Sequence, residues 1–435
     1  MGGFLLPEAG IRGEGRGGTG GGSPLRAGFW LPTFSAAILL LGGLTPATDA
    51  NALWSDRLEL FVSEAVIHDD NVFRISSQSD PAAVLGSPSK GDTYHTTSFG
   101  VNFDVPVSRQ RFQGGLAWND IRYDRFTFLD LTSHGGRAVW LWQVGDDLSG
   151  KLGYMDSLAL ASFANVQSGG GQSVVPNALT TQQAFFNAGY RVTPRWELRG
   201  EVSRLEQSNQ IPQRRVNDII IDGGELTVSY VTPAKNKVGF SVRLDEARYP
   251  TPQVAGASLI DNAYRQQIIA AVTDWSLTGH SHFIARAGRV SRSYEQLPQR
   301  DFEGPTLNVT YDWNPTGNFT LTALAVREIS TTEEVNVGFV VVKGAALRPA
   351  LRLTEKIRIS GALEYSERDY RGDPALALGT VARIDEVRAA GVTASYRPVR
   401  PVTLEAAFRR ETRSSTVAFG DYVTNIASVT ARIGF

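Results

Sequence analysis

The sequence predicts an all-β fold, a transmembrane antiparallel up-and-down β-barrel of outer-membrane type with about 18 strands, within a range of roughly 16–18. Three observations predict it. Apolar and polar residues alternate with period two in run after run, the signature of strands with two unlike faces. Short turns recur roughly every 40 residues and alternate with longer loops, the rhythm of hairpins that cross a bilayer repeatedly. Aromatic residues gather where the alternating runs meet the short turns, as amphipathic rings do at headgroup level.

The chain begins with a Gly-rich head, Gly2 to Ser23, whose composition predicts disorder. Arg26 precedes an apolar run, PTFSAAILLLGGL, from Pro32 to Leu44. A membrane-spanning helix needs about 20 apolar residues, so this run is too short to span and fits a signal-peptide core instead. Ala50-Asn51-Ala52 supplies the small-x-small pattern of a cleavage site. Residues 1–52 are therefore expected to be head and signal peptide, with cleavage near Ala52, and 53–435 the barrel in the outer membrane.

Strands follow. In VGFSVRLD, Val238, Phe240, Val242 and Leu244 share one face, and Gly239, Ser241, Arg243 and Asp245 the other. The same alternation runs from Trp196 to Ser203, from Ile357 to Ser366 and from Val402 to Glu411. Eight short turns separate such runs, among them VTPR (Val192 to Arg195), SLTGHS (Ser276 to Ser281) and WNPTGN (Trp313 to Asn318). Eight hairpins with one further strand at each end make about eighteen strands. Trp142, Trp196, Trp275, Trp313 and Tyr396 lie beside short turns and are expected in the periplasmic aromatic belt. Tyr123, Phe126, Tyr249, Tyr264, Tyr294 and Tyr370 lie towards the long loops and are expected in a second, outer belt. The chain closes on NIASVTARIGF, whose final Phe435 resembles the terminal aromatic by which outer-membrane barrels are recognised for insertion.

If lipid covers the apolar faces, the opposite faces line a lumen. Those positions include Glu197, Arg199, Glu201, Arg243, Asp245, Arg286, Arg358, Glu364, Glu405, Arg409, Glu411 and Arg432. Two roles fit them. They bind polar solutes in a transverse field, or they pair across neighbouring strands and hold the wall.

Composition removes several functions. No cysteine leaves no disulfide or thiolate site. With 43 Lys+Arg against 44 Asp+Glu, no basic field exists for nucleic acid. His280 and His282 stand two apart, but no further ligand lies nearby in sequence, so no metal site is expected. His68 or His134 would suit the base of a barrel phospholipase, yet no local motif singles out a serine. The expectation is no enzyme and no cofactor.

One stretch, HDDNVFRI from His68 to Ile75, ends the first strand. Asp69, Asp70 and Asn71 have the chemistry of a cation site, and equally that of a turn held by side-chain-to-backbone bonds. With Phe73 and Arg74 the run resembles the opening of EpsL-type outer-membrane proteins of exopolysaccharide gene clusters. That resemblance implies a part in exopolysaccharide biosynthesis or secretion, and no catalytic residues. The expected function is a passive polar conduit for polysaccharide, with outer-membrane lipid and periplasmic export components as partners. Two alternatives stand beside it: a porin for small polar solutes, and a structural or adhesive barrel with a closed lumen.

Overall fold

The structure is a computed structural model and describes residues 57–165, 167–168, 171–172, 174–255, 258–330, 339–371 and 383–435. The signal-peptide and cleavage expectation for 1–52 lies outside them, as does much of the loops at 165–177 and 369–378.

Eighteen strands follow one another in chain order: β1 (Leu58–Asp69), β2 (Asp92–Val107), β3 (Gln110–Tyr123), β4 (Leu131–Val144), β5 (Leu148–Leu160), β6 (Ala178–Thr193), β7 (Trp196–Asn209), β8 (Ile219–Val231) and β9 (Lys237–Arg248). β10 (Tyr264–Thr278), β11 (Ser281–Tyr294), β12 (Phe302–Trp313), β13 (Phe319–Ser330), β14 (Phe339–Arg352), β15 (Ile357–Arg371), β16 (Ile384–Val399), β17 (Val402–Ser415) and β18 (Tyr422–Gly434) complete the set. Each pairs antiparallel with its predecessor, and β1 pairs with β18 from Phe61↔Gly434 to Asp69↔Ile426. The sheet is thus closed, leaving no strand edge whose amide groups hydrocarbon would strand without partners. Phe435 extends the seam: its amide donates to Leu60 O at 2.7 Å, and its carbonyl accepts from Leu60 N at 3.2 Å.

Seven of the eight short turns fall where the sequence places them; the eighth, expected at LRPALR (Leu347 to Arg352), comes later, because those residues complete β14 and the chain turns between Arg352 and Ile357. Strands run to 12–16 residues, longer than the roughly 9–11 that spanning requires. The extra length lies above the lipid, and there the two faces exchange character. On β9, Val238, Phe240, Val242 and Leu244 point outward, with Phe240 70% and Leu244 58% exposed. Glu246 and Arg248 continue that outward face, while Ala247 is buried on the inward one. Once a strand leaves hydrocarbon, water takes charged side chains outside, and apolar side chains pack inside.

The short-turn aromatics lie on the outward face. Trp196 meets Tyr230 with ring centroids 5.4 Å apart, Trp142 meets Phe186 at 5.8 Å, and Trp313 meets Phe319 at 6.3 Å. Trp275 pairs in register with Phe283, and Tyr396 is exposed. The second belt needs correction. Phe126, Tyr264, Tyr294 and Tyr370 are buried, and Tyr123 and Tyr249 pack against buried clusters, so these rings fill the outer end of the barrel instead of ringing it. They sit above the lipid, where burial inside stabilises a large ring by about 1.5–3 kcal/mol. Phe99 and Trp118, stacked at 5.1 Å and exposed, occupy the outer part of the lipid-facing surface instead.

Wall curvature needs glycine at Gly288. A Cβ there would lie 2.0 Å from Ile269 O and 2.6 Å from Ala270 Cα, both backbone atoms that cannot swing aside. Gly288→Val is expected to destabilise the wall by about 3 kcal/mol or more and to lower the yield of compact barrel after refolding into detergent. Electrophoresis of unheated samples measures it; an unchanged yield would show that the wall can yield there.

Candidate functional site: the inner wall and outer mouth

Inward positions follow from strand parity. All twelve charged residues read as lumen-lining face inward: Glu197, Arg199 and Glu201 on β7, Arg243 and Asp245 on β9, Arg286 on β11, Arg358 and Glu364 on β15, Glu405, Arg409 and Glu411 on β17, and Arg432 on β18.

Nine of them fall on two sides of the wall, and Arg432 forms a separate pair. On β7–β11, Glu197 lies between Lys237 Nζ at 2.6 Å and Arg199 at 2.9 Å. Arg243 donates to Asp245 at 2.8 Å and stands 3.7 Å from both Glu201 and Glu225. Arg286 donates to Glu225 and to Ser241 Oγ, each at 2.7 Å. On the facing side, Glu364 accepts from Arg348 at 3.3 Å and Arg409 at 2.9 Å, and Arg409 reaches Glu411 at 3.0 Å. Tyr422 donates to Glu411 at 2.7 Å. Arg432 donates to Glu59 at 3.0 Å and lies 3.9 Å over the Phe61 ring.

Ten of the twelve therefore form ion pairs within the wall, some along one strand and some across neighbouring strands. Arg358 and Glu405, nearer the periplasmic end, make no ion pair among the described residues. Sequence reading missed Glu225, Lys237, Arg348 and Glu59, the partners that complete the networks. In β8, IIIDGGELTVSYV, the outer half puts Ile219 and Ile221 inside and Asp222 outside, which hides Glu225 from a search for polar inward runs.

The outer mouth is narrowed by two packed clusters. One joins Leu205, Ile221, Tyr264, Val290, Tyr294 and Phe339, with their neighbours, on β7–β14. Here β12 and β13 pair only from Leu307↔Arg327 to Trp313↔Leu321; above that, Ile329, Phe339 and Val341 bury what is elsewhere the outward face of their hairpin. The other joins Val72, Phe73 and Ile75 to Phe126, Leu129 and Phe163, with Phe73 4.8 Å from both Phe126 and Phe163.

The stretch after β1 holds this second cluster in place. Asp69 accepts from Asn71 N at 2.9 Å, Arg74 Nη1 at 2.8 Å and Thr424 Oγ1 at 2.8 Å. Asp70 accepts from Asn425 N at 2.8 Å and Nδ2 at 2.7 Å. Asn71 Nδ2 donates to Ile75 O at 2.9 Å and Val423 O at 3.0 Å, while its Oδ1 accepts from Ile75 N at 2.8 Å. Of the two readings of this run, the turn is the one seen: its carboxylates are occupied by the chain itself. Burial, the largest single influence, would lower the Arg74 pKa, but Asp69 together with Tyr422 and Glu411 raises it above its ordinary value.

A second segment crosses the mouth. Ala164, just beyond β5, accepts from Arg413 Nη1 on β17, six strands away around the seam. Arg413 also holds Asp385, which binds Arg383 at 2.8 Å.

Each histidine singled out in the sequence has a partner of its own. His280 Nδ1 lies 3.0 Å from Asn314 O, whereas His282 Nε2 meets Asp274 at 2.7 Å. His68 contacts Thr93 and His134 contacts Asp156. No group of three or more potential ligands gathers among the described residues.

Closed, antiparallel, eighteen-stranded, apolar outside and ion-paired inside, this is a β-barrel of the outer-membrane porin architecture. A family model described as "Putative beta-barrel porin 2" matches residues 278–435. Solved structures similar to the chain include Pseudomonas aeruginosa OccK9 (OpdG), at 13% identity and TM-score 0.44, covering 87% of this chain and 98% of that one. P. aeruginosa OccK2 (OpdF) in complex with glucuronate gives 10% and 0.46, with 87% and 98% covered. A BenF-like porin from Pseudomonas fluorescens Pf-5 gives 11% and 0.44, again with 87% and 98% covered. The likeness is one of overall barrel. No curated protein matches the chain.

Proposed function

We propose that the protein is a porin that lets small polar solutes diffuse across the outer membrane. The carrying observation is the charged inner wall of a closed barrel wide enough, at eighteen strands, for an aqueous channel. Arg137 and Arg358 are exposed although they point inward, as side chains in a water-filled lumen would be. The name of the family model matched by the last third of the chain supports the same reading. Because most of the wall cations are matched by carboxylates, and unpaired Arg358 is offset by unpaired Glu405, the pore should select weakly by charge.

Small solutes suit this barrel better than a polymer. The outer mouth is narrowed by packed side chains, and the Asp69–Arg74 run, which implied an exopolysaccharide role, is occupied with holding a loop. The test is conductance in planar bilayers, with swelling of proteoliposomes in sugars of increasing size. Steady conductance with entry of monosaccharides and exclusion of long dextrans is expected. A silent barrel would favour the structural or adhesive alternative, and passage of long dextrans would restore the polysaccharide conduit.

A further inference from the structure

The lipid-facing surface carries a slot on β7–β11. Gly200 and Gly224 both sit on the outward face, where their neighbours Val202, Leu226 and Leu244 are bulky and 58%, 53% and 58% exposed. A Cβ at Gly200 would meet nothing within 4 Å, and at Gly224 only Glu201 O at 4.0 Å. Missing side chains in an apolar belt leave a furrow one residue deep. A groove of about 970 Å³ lies at Gly224, lined on this face by Phe186, Val202 and Leu244 and above them by Arg204 and Arg265; Gly200 lies outside it.

The rim above it is polar. One register row runs Arg204, Asp222, Glu246, Arg265 and Ser293 across five strands, with Gln267↔Ser291 just below. Asp222 is shared by Arg204, at 3.5 Å, and Arg248. Arg265 stands opposite Glu246 in register, is exposed, and makes no ion pair among the described residues. Elsewhere on this outer rim Arg122, Arg289, Lys343 and Arg388 each hold a carboxylate. The slot is therefore apolar at acyl-chain level, and above it carries a guanidinium free for an anion beside amide and hydroxyl groups suited to sugar hydroxyls.

We propose that this slot is a binding site for a phosphorylated glycolipid of the outer leaflet, with an acyl chain lying over Gly224 and a headgroup phosphate accepting from Arg265 and Arg204. Both chemistries meet on one surface: hydrocarbon fills the furrow, and phosphate takes the guanidinium of Arg265 and shares that of Arg204 with Asp222. The site faces away from the lumen and does not depend on the pore's solute.

Native mass spectrometry of the full barrel, released from detergent after incubation with a diphosphorylated glucosamine lipid, tests it. The parent protein should retain one such lipid. Arg265→Ala combined with Arg204→Ala should lower the retained fraction about tenfold, the effect of losing a charge-assisted contact. Gly224→Leu, which fills the furrow and leaves both arginines in place, should do the same. Arg388→Ala, on a paired cation of β16, should change nothing. Retention unchanged in both slot variants would overturn the proposal, as would equal retention of phosphatidylglycerol by the parent protein. Should Gly224→Leu refold poorly, Arg265→Gln carries the test alone.

Discussion

Arg243→Ala is expected to make the pore cation-selective and to weaken the barrel. Arg243 is the cation common to Glu201, Glu225 and Asp245, and its side chain is only 12% exposed. Removing it leaves three carboxylates on one patch of wall, with Arg286 still bound to Glu225 and Arg199 and Arg292 acting from farther off on Glu201 and Asp245. At a few ångströms and an effective dielectric near 20, each unscreened charge pair is worth about 4 kcal/mol, so the wall becomes attractive to cations and repulsive to itself. Breaking a largely buried ion-paired cluster from one side typically costs about 3–5 kcal/mol. Reversal potentials under a salt gradient measure the selectivity, and urea unfolding in detergent micelles measures the stability. Arg243→Lys should keep the selectivity while losing part of the stability, because an ammonium cannot match the guanidinium fork that serves several carboxylates. Unaltered reversal potential in Arg243→Ala would mean that solutes do not pass beside this wall.

Asp69→Ala is expected to widen the outer mouth. The carboxylate ties together Asn71, Arg74 and Thr424, so its loss takes the nearest counter-charge from buried Arg74, leaving Glu411 to act on it, and removes one of the ties between the loop and β18. A buried guanidinium without its partner costs about 3–5 kcal/mol, more than the ordering of a few loop residues can absorb. The stretch should detach and withdraw Phe73 from Phe126 and Phe163. Higher single-channel conductance and faster proteolysis within residues 70–91 are the readouts. Asp69→Asn, which keeps hydrogen bonding but not charge, should fall between parent and alanine variants. Parent-like conductance in Asp69→Ala would show that the packed cluster, and not this carboxylate, holds the mouth.

Local alternation carried most of the fold. Val238 to Leu244 shows its lipid-facing side without any knowledge of neighbours, because lipid imposes one rule on every outward residue at that depth. The same rule made the inward charges readable. It failed above the bilayer. Tyr264, Tyr294 and Tyr370 look like belt residues from their distance to the turns, yet a period-two pattern gives faces without naming which face is wet. The exchange of character at Ala247 and Glu246 marks where hydrocarbon ends, and it is visible only when strand length and depth are known together.

The sequence by itself determined the closed barrel, its strand number, all but one of its short turns and the inward set from Glu197 to Arg432, because periodicity and turn chemistry are local properties of a chain in a layered solvent. Tertiary structure alone decided the rest. Glu225 could be matched to Arg286, Asp69 to Thr424 and Arg413 to Ala164 only once register and closure were set, since each pair joins residues distant in sequence. Contacts of that kind depend on where the sheet brings strands together, a global condition that no single stretch of residues contains.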